Sequence, residues 1–494
     1  MKISALFLFS LLFLTGCSNE QQSINKLSNL DGGRVFAVAA GTAADQMVLQ
    51  RFPDAKLIYF NNVLHCALAV KEGKADATAY DLPVLVNIAA KIDGLRVLDE
   101  LIMKDQYGFA VRKDDTALKE IMDQVLSDIQ SDGTYEAMSA RWFPKAGTPG
   151  PMPDIPENGS GGELAFGTAA VTEPMSFVGE NQQVIGFDIE FATRIAAKAG
   201  KKLNIVNMEF GAMLPALISG KVDMIGAGLS ITEERAKSVL FSEPYYRGGL
   251  AVIVKGQENT VAHKPFFRSI GNSVRDNLIV EERYKLVLDG LLVTIIITVL
   301  AALLGTILGG GVCFLNMSHN KMSRKIAEIY IGFFRGTPVL VLLLIIYYVV
   351  FASVTVTPVF VAIIAFGLNF AAYVSEIYRT AIESVNRGQW EAGKAGGFTN
   401  VQTFRHIILP QAIRHALPVY KGEFISMMKA TSVVGYIAVQ DITRVSDIIR
   451  SRTFDAFFPL LLAAAIYLVL AWLLTRLLNK VEISVVPERK RLQK

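Results

Sequence analysis

The sequence predicts two α/β lobes followed by an all-helical membrane region of five spans. Hydrophobic residues make up 52% of the 494 residues, yet residues 18–160 have the composition of a soluble domain and the apolar excess lies after residue 285. In the front part, short apolar runs alternate with helical patterns, which is typical of α/β units. In the rear part, uncharged stretches are long enough to cross a bilayer.

The N-terminus has the form of an export signal. A short basic start is followed by an uninterrupted apolar run that ends in Leu14-Thr15-Gly16-Cys17. The run is too short to span a membrane comfortably, and its end resembles a bacterial lipoprotein box. We therefore expect residues 1–16 to be a lipoprotein-type signal peptide and Cys17 to be acylated. A plain signal peptide is the alternative.

The soluble part divides at a Gly/Pro-rich stretch. The apolar residues in 146–162 have neither the spacing of a helix nor that of a strand, which predicts a linker. This linker separates an α/β lobe at residues 17–145 from a second one at residues 163–257. A further linker, residues 258–285, leads to the membrane.

The membrane region is expected at residues 286–482. The first and last spans are clear, two more share a long apolar stretch that is broken at residues 353–358, and a weak fourth span carries several charges. The spans are expected at residues 291–315, twice within 336–375, at 416–439 and at 456–474.

Export of the front part and an odd number of spans place the C-terminus in the cytoplasm. Basic residues after the first span, such as Lys321 and Arg324, and the basic tail at residues 483–494 agree with the positive-inside rule. The net charge of only +4 argues against nucleic-acid binding.

The soluble part resembles the periplasmic polar amino-acid-binding proteins. Its rear segment matches their first lobe through Ile185-Gly186-Phe187-Asp188, Gly220-Lys221-Val222-Asp223, Ser230 to Lys237 and Phe241 to Tyr246. Its front segment matches their second lobe through Gly41-Thr42, Gly73-Lys74-Ala75-Asp76-Ala77, Asp81 and Tyr107 to Lys113.

Members of that family have the two lobes in the opposite order. The resemblance therefore implies a two-lobed, type II periplasmic-binding-protein fold that is circularly permuted, with lobe two at residues 17–145 and lobe one at residues 163–257. Two truncated copies, or lobes exchanged between the chains of a dimer, are the alternatives.

The resemblance also implies a site for an amino acid. Arg235 matches the family's carboxylate-binding arginine, whose guanidinium group can form two parallel hydrogen bonds, and Asp81 matches the aspartate that accepts the ligand's ammonium group. Gly228 and Ser230 lie where the family supplies further donors, and Thr42 could reach the carboxylate from the other lobe. The simpler alternatives are a solvated arginine, a turn aspartate and a helix-capping threonine.

Two departures from the family concern the ligand's side chain. Where the family often has an aspartate and an aromatic residue, this chain has Ala169 and Thr172, so Thr172 takes the aromatic residue's place in the substrate-binding set. A cationic side chain would lose its counter-charge and its stacking wall. Arginine, lysine and histidine are thus disfavoured as ligands, unless Glu173 supplies the charge.

The membrane region resembles the permeases of the histidine, glutamine and arginine uptake family. Their signature loop reads Glu-Ala-Ala, then Gly, then Ile-x-Leu-Pro, and here Gly393 replaces the second alanine. The matching residues are Glu391, Ala392, Gly393, Gly397, Ile407, Leu409 and Pro410. The resemblance implies that this loop docks a separate cytoplasmic ATPase subunit. A cytoplasmic loop without a partner is the alternative.

Charges in the weak fourth span are costly unless they are paired or in contact with water. Glu423 and Lys429 are therefore candidates for the translocation path or for a structural ion pair, and both interpretations remain open at this point.

Together these motifs imply an ABC-type importer subunit for a polar amino acid, located in the bacterial inner membrane with its binding part outside. The chain has no Gly-x-x-x-x-Gly-Lys-Ser/Thr phosphate loop, so ATP hydrolysis is expected from the partner, and no catalytic group or cofactor is expected. Cys66 and Cys313 lack metal-ligand spacing, so no metal is expected. Five spans are few for a pore, which predicts a homodimer. A ligand-gated channel or a sensor receptor is the alternative, although both lobes precede the membrane and only a short tail follows it.

Overall fold

The computed structural model describes residues 24–144, 149–157, 159–179, 182–256, 271–352, 354, 356–455 and 457–485. The expected signal peptide, Cys17 and the basic tail from residue 486 onward lie outside these described residues. The part of the Gly/Pro-rich linker at residues 149–157 forms neither helix nor strand.

The front half contains two larger sheets and a small one. The first sheet consists of β1 (Val35–Ala39), β2 (Lys56–Phe60), β3 (Ala77–Asp81), β4 (Leu95–Val97), β5 (Met103–Tyr107) and β14 (Tyr246–Lys255). The second consists of β6 (Ala110–Arg112), β7 (Glu163–Thr168), β11 (Lys202–Asn207), β12 (Met224–Ile225) and β13 (Val239–Phe241). The small sheet joins β8 (Val171–Thr172), β9 (Ser176–Val178) and β10 (Val184–Ile185).

The strand order is β2-β1-β3-β14-β4 in the first sheet, with β5 also paired to β14, and β11-β7-β12-β6-β13 in the second. Strands β1, β2 and β3 are parallel, whereas β14 is antiparallel to β3. Every residue of β3 is buried, as expected for a central strand that is covered on both faces.

Eight helices cover these sheets in the described part of the front half. Three pack on the first sheet, namely α1 (Ala44–Arg51), α2 (Val63–Lys71) and α3 (Leu82–Lys91). Five belong to the second, namely α4 (Thr116–Ser131), α5 (Thr134–Trp142), α6 (Phe187–Lys198), α7 (Phe210–Ile218) and α8 (Glu233–Ala236). The helical patterns at residues 116–131 and 187–199 thus correspond to α4 and α6.

Each larger sheet and the helices that cover it form one unit, called here the first-sheet unit and the second-sheet unit. The small sheet belongs to the second-sheet unit, because β9 and β10 contact α6. These two units do not coincide with the two segments on either side of the linker. Strand β6 precedes the linker but pairs with β12 and β13 in the second sheet. Strand β14 follows the second-sheet strands but pairs with β3, β4 and β5 in the first. The chain therefore crosses between the units twice, after Tyr107 and after Phe241. The linker is not the division between the units, because strand pairing here is non-local.

The rear half is helical. Its helices are α9 (Tyr284–Asn316), α10 (Lys321–Gly336), α11 (Val339–Ile345), α12 (Pro358–Glu383), α13 (Arg387–Ala395), α14 (Asn400–Thr403), α15 (Leu409–Ala430), α16 (Ile442–Thr453) and α17 (Phe458–Val485). A π-helical turn, Ile346–Val350, extends α11, and a second one, Phe404–Ile408, joins α14 to α15. A 3-10 helix, Thr431–Ile437, follows α15.

Three described helices are long and apolar enough to cross a membrane, namely α9, α12 and α17. The pair α10 and Val339–Val350 adds a fourth only if it is one span, and it bends by 109° at its break. Helix α15 lies at the weak fourth span but carries Lys421, Glu423 and Lys429. The count of five spans therefore stays a prediction.

Small residues allow α9 and α12 to pack closely. A Cβ atom on Gly305 would lie 2.8 Å from the Gly367 carbonyl oxygen, and one on Gly309 would lie 2.9 Å from Val374. Close backbone approach at small residues is a principal source of helix association in membranes. The glycines of α9 and α12 therefore leave room for the facing backbone and for side chains such as Phe370 and Val374.

We expect Gly305→Ala to destabilise the membrane region, because the added methyl group meets backbone that cannot move aside. Overpacking of this kind costs about 1–3 kcal/mol, which should lower the melting temperature of the detergent-solubilised chain by several degrees. The matched control is Gly311→Ala on the same helix, where a Cβ atom meets nothing within 4 Å. Equal melting temperatures for the two variants would contradict this packing.

Candidate functional site

The cleft between the two units contains the residues expected to bind an amino acid. Asp81 ends β3 in the first-sheet unit, while Gly228 and Ser230 follow β12 and Arg235 lies on α8 in the second-sheet unit. The carboxyl ends of strands β3 and β12 thus face the same gap, which is where open α/β sheets bind ligands.

Asp81 lies at the base of this cleft. Its Oδ1 accepts a 2.7 Å hydrogen bond from the Tyr107 hydroxyl group. Burial raises the pKa of Asp81 to about 8; the Tyr107 hydrogen bond opposes the shift, while Asp105 and Asp188 add to it. A cation arriving beside Asp81 would therefore stabilise its ionised form, which burial disfavours.

Arg235 spans the two units. Its Nη1 donates to the Ser230 carbonyl oxygen and its Nη2 to the Gly41 carbonyl oxygen on the other side of the cleft, each at 2.9 Å. Burial lowers the pKa of Arg235, and Asp105 opposes that shift. These two bonds use two of the five N–H donors of the guanidinium group, so Arg235 closes the cleft as well as lining it.

Ser230 is paired with an acid that sequence reasoning missed. Its hydroxyl group donates to Oδ2 of Asp105 at 2.6 Å, across the gap between the units. Burial raises the pKa of Asp105, and the Ser230 hydrogen bond opposes this. The signal in the sequence was weak, because Asp105 stands on β5 among exposed polar residues and only strand pairing turns it inward.

The backbone conformation at position 228 requires glycine. Its φ is +63°, and a Cβ atom there would lie 2.9 Å from Oδ2 of Asp81. Its N–H group donates to Oδ2 of Asp188 at 2.8 Å. Burial raises the pKa of Asp188 to about 7. Asp188 is thus a second acid that the sequence motif contained but that was not recognised as part of the cleft.

The two threonines form local hydrogen bonds. The Thr42 hydroxyl group donates to the Ala39 carbonyl oxygen at 2.7 Å, and the Ala44 N–H group donates to it at 3.4 Å, directly before α1. The Thr172 hydroxyl group is buried and lies 3.2 Å from the Ala169 carbonyl oxygen. Their role in ligand binding stays a prediction.

Glu173 is directed towards cations of the protein itself. Its Oε1 lies 2.7 Å from Nζ of Lys91, and its Oε2 lies 3.6 Å from Nη1 of Arg452. Lys91 and Arg452 already balance the negative charge of Glu173. Glu173 is therefore a poor substitute for the missing aspartate as the counter-charge for a ligand side chain.

The signature loop forms an exposed helix, α13, and the turn that follows it. Glu391 and Ala392 are exposed. Gly393 is buried, and a Cβ atom on it would lie 2.5 Å from Cγ2 of the buried Thr403. The departure from the family's second alanine therefore has a local cause, and Gly397 has a φ of +79°, which favours glycine.

The loop is attached to two long helices. A cluster of apolar residues buries Ile408, Ala412 and Ala381 against Trp390 and Phe404, and the rings of Trp390 and Phe404 stack at 6.3 Å. Of the predicted loop residues, Ile407 and Leu409 are half-buried and Pro410 is exposed at the start of α15. Displacement of the loop would thus be transmitted to the ends of α12 and α15.

Glu423 lines a cavity of about 400 Å³ in the membrane region together with Arg335, Asn369 and Tyr373. Lys429 is exposed on the surface of α15. No salt bridge joins Glu423 to Lys429 in the described part of the chain, so the interpretation as a structural ion pair has no support. Lys421, in contrast, pairs with Glu482 at 3.1 Å.

The profile of the bacterial extracellular solute-binding proteins, family 3, matches residues 23–145 and 164–431. The rear half is 38% identical over 187 residues to the probable amino-acid ABC transporter permease protein YckA of Bacillus subtilis, covering 38% of this chain and 83% of the relative. It is 36% identical over 216 residues to the L-cystine transport system permease protein TcyB of Bacillus subtilis, covering 43% and 92%. It is 33% identical over 198 residues to the putative glutamine transport system permease protein GlnP of Rickettsia typhi, covering 40% and 91%.

The chain belongs to the bacterial extracellular solute-binding proteins, family 3. It also contains an amino-acid ABC transporter permease region. It is thus a transport component for amino-acid import and not an enzyme, an inner-membrane protein whose solute-binding region is extracytoplasmic.

We expect Gly393→Ala to reduce transport, because the methyl group must displace either α13 or Thr403. The measurement is uptake of labelled amino acid by cells that express the whole transporter, normalised to the amount of the chain in the membrane. Gly396→Ala is the control, since a Cβ atom there has its nearest neighbour at 3.4 Å. Uptake that is equal in the two variants would show that the Gly393–Thr403 contact does not matter.

Proposed function

We propose that residues 24–256 form one circularly permuted binding protein that captures a polar, zwitterionic amino acid and delivers it to the membrane region of the importer. The observation that carries this proposal is the placement of Asp81 and Arg235, one from each unit, in a single cleft. The acid suits an ammonium group, and the guanidinium group suits a carboxylate.

The strand exchange supports one complete binding unit over two truncated copies. Strand β6 completes the second sheet and β14 completes the first. One core cluster also includes residues from both units, for example Tyr80 and Ala251 from the first and Phe109 and Phe166 from the second. Two truncated copies would each be expected to enclose a separate core.

The contents of the cleft favour a neutral polar side chain on the ligand. Ala169 and Thr172 provide neither a counter-charge nor an aromatic wall, and Glu173 is paired with Lys91. L-Glutamine and L-cystine are therefore suitable first probes, in line with the names of the two permease relatives.

A homodimer with a cytoplasmic ATPase subunit on each signature loop completes the proposal. The exposed surface of α13 with Glu391 and Ala392 supports a docking role. Five spans, a cytoplasmic C-terminus and a lipid on Cys17 belong to the same proposal. The cavity around Glu423 and Arg335 is the proposed contact with the passing amino acid.

Binding should depend on Arg235. The full-length chain in lipid nanodiscs is melted with a panel of amino acids that includes L-glutamine and L-cystine. A ligand at 100 times its Kd should stabilise the folded state by about 2.7 kcal/mol. Removal of one partner of a buried charged pair costs about 2–5 kcal/mol, so Arg235→Ala should weaken binding at least ~30-fold.

Two further variants make this test specific. Arg235→Lys keeps the charge but loses the planar guanidinium group that can form two parallel hydrogen bonds. Its affinity should therefore lie between those of Arg235→Ala and the parent chain. Arg247→Ala removes an exposed arginine on β14 and should leave the affinity unchanged. A ligand that binds Arg235→Ala as tightly as the parent chain would disprove the carboxylate assignment.

Amino-acid affinity should rise with pH between about 6 and 8. In the empty cleft the raised pKa of Asp81, about 8, leaves the carboxyl group largely protonated at pH 7, and a bound ammonium group must displace that proton. Affinity should therefore fall by up to tenfold for each pH unit below 8 and be constant just above it. Titration calorimetry at several pH values measures this. Asp81→Asn should bind weakly with no such slope, and a parent chain with constant affinity from pH 6 to 8 would refute the role of Asp81.

A further inference from the structure

Helix α16 lies between the binding region and the other membrane-region helices. It is part of neither the cleft nor the signature loop. It follows α15 and precedes α17 in the chain. Eight of its twelve residues are buried, and these include Arg444 and Arg450. Charged groups are seldom buried without partners, so the partners of α16 indicate what it holds.

The first partner is the second-sheet unit. Arg444 is 3% exposed, and its guanidinium group forms an ion pair with Glu209. Its Nη2 also donates to the Asn207 side-chain oxygen at 3.2 Å and to the Met208 carbonyl oxygen at 3.0 Å. Three consecutive residues, from the end of β11 to the start of α7, thus surround one arginine of the membrane region.

The second partner is the first-sheet unit. Nε2 of His65, on α2, lies 3.3 Å from Oδ1 of Asp447 and 2.6 Å from Nη1 of Arg450. Burial alone would raise the pKa of Asp447, but His65, Arg444 and Arg450 hold it below its ordinary value. The Asp447 carboxylate therefore belongs to a charged network that includes the first-sheet unit.

The third contact lies on the seam between the units. Lys91 of the first-sheet unit pairs with Glu173 of the second at 2.7 Å. Arg452 approaches the same Glu173 to 3.6 Å, and Nζ of Lys91 lies 5.0 Å from the centre of the Phe454 ring. The C-terminal end of α16 thus contacts the ion pair that joins the two units.

Lys221 extends the contact of the second-sheet unit beyond α16. Its Nζ donates to the carbonyl oxygens of Phe351 and Val354, at the end of the helix that begins at Val339. A cation is favourable at a helix C-terminus, where carbonyl groups lack partners. The two units are therefore held to the membrane region at separate places.

We propose that α16 is the docking site for the binding region of its own chain, and that it engages both units together only when the cleft is closed. Twelve helical residues span about 18 Å, and along this length α16 meets the second-sheet unit, the first-sheet unit and their seam. A rotation of one unit relative to the other would break at least one of these contacts. The second part of this inference rests on the proposed function, because it takes an amino acid to be what closes the cleft.

Cysteine cross-linking tests docking within one chain. One pair, His65→Cys with Asp447→Cys, reports on the first-sheet unit, and the other, Lys221→Cys with Val354→Cys, reports on the second. Each pair is introduced into one full-length chain in native membranes, or divided between two co-expressed chains with different tags, and treated with a short bis-maleimide. The single cysteine variants are controls for reaction with the chain's own cysteines, of which Cys66 and Cys313 are buried and Cys17 lies outside the described residues.

Both pairs should cross-link when they are in the same chain, giving a product of monomer mass with altered mobility. The divided pairs should give no product of twice that mass. A double-mass product from divided pairs would overturn docking within the chain, and so would a lack of cross-linking in the undivided chains. This readout needs no ligand, so its outcome is independent of the amino-acid assignment.

Affinity tests the dependence on closure. If docking favours the closed cleft, then loss of docking must weaken ligand binding by the same factor, since linkage is reciprocal. Arg450→Ala should therefore weaken L-glutamine or L-cystine binding to the full-length chain about fivefold or more, while the exposed Lys113→Ala should not. Unchanged affinity in Arg450→Ala would overturn the dependence on closure. Failure of the parent chain to bind any amino acid would instead count against the proposed function, and the cross-linking result would stand.

Discussion

The double crossing of the chain between two sheets is the constraint on which the rest of the binding region depends. Each sheet is complete only with a strand from the other segment, β6 in one case and β14 in the other. The crossings after Tyr107 and Phe241 are therefore the two connections between the units, and the cleft lies directly beside them. Tyr107 shows the connection most clearly, because it ends β5 and donates to Asp81 at the base of the cleft.

The cleft combines buried acids with one guanidinium group. Asp81 and Asp105 belong to the first-sheet unit and face Arg235 across the gap, whereas Asp188 belongs to the second-sheet unit, as Arg235 does. Burial penalises the ionised form of each carboxyl group and raises its pKa, so the empty site favours the protonated form of these acids. An amino acid carries both an ammonium and a carboxylate group. In the proposed binding mode the ammonium group would supply a cation to the acids, and the carboxylate would pair with Arg235.

The two ends of the membrane region are held by different kinds of interaction. On the binding side, α16 is held by charged contacts, which are specific in direction and distance. On the signature-loop side, α13 is held by apolar packing around Trp390 and by the Gly393–Thr403 contact, and its outer surface stays exposed. Between the two ends, α9 and α12 approach closely at Gly305 and Gly309. The two ends are therefore connected through the closely packed pair α9 and α12.

The sequence by itself determined the class of protein, the order of the binding region and the membrane region, and most of the polar residues of the cleft. Motifs such as those around Arg235 and Gly393 are short runs of consecutive residues, so they can be recognised without a structure. Apolar runs likewise predicted the long helices, since span length follows from bilayer thickness. Only the tertiary structure decided which strands complete which sheet, that Asp105 faces Ser230, that Glu173 is used by Lys91, and that α16 contacts both units. These depend on non-local pairing, in which a polar residue on a strand or helix gains its partner only after the chain has folded. The weak span around Glu423 shows the same limit, since hydropathy measures composition and not the neighbours that make a charge tolerable.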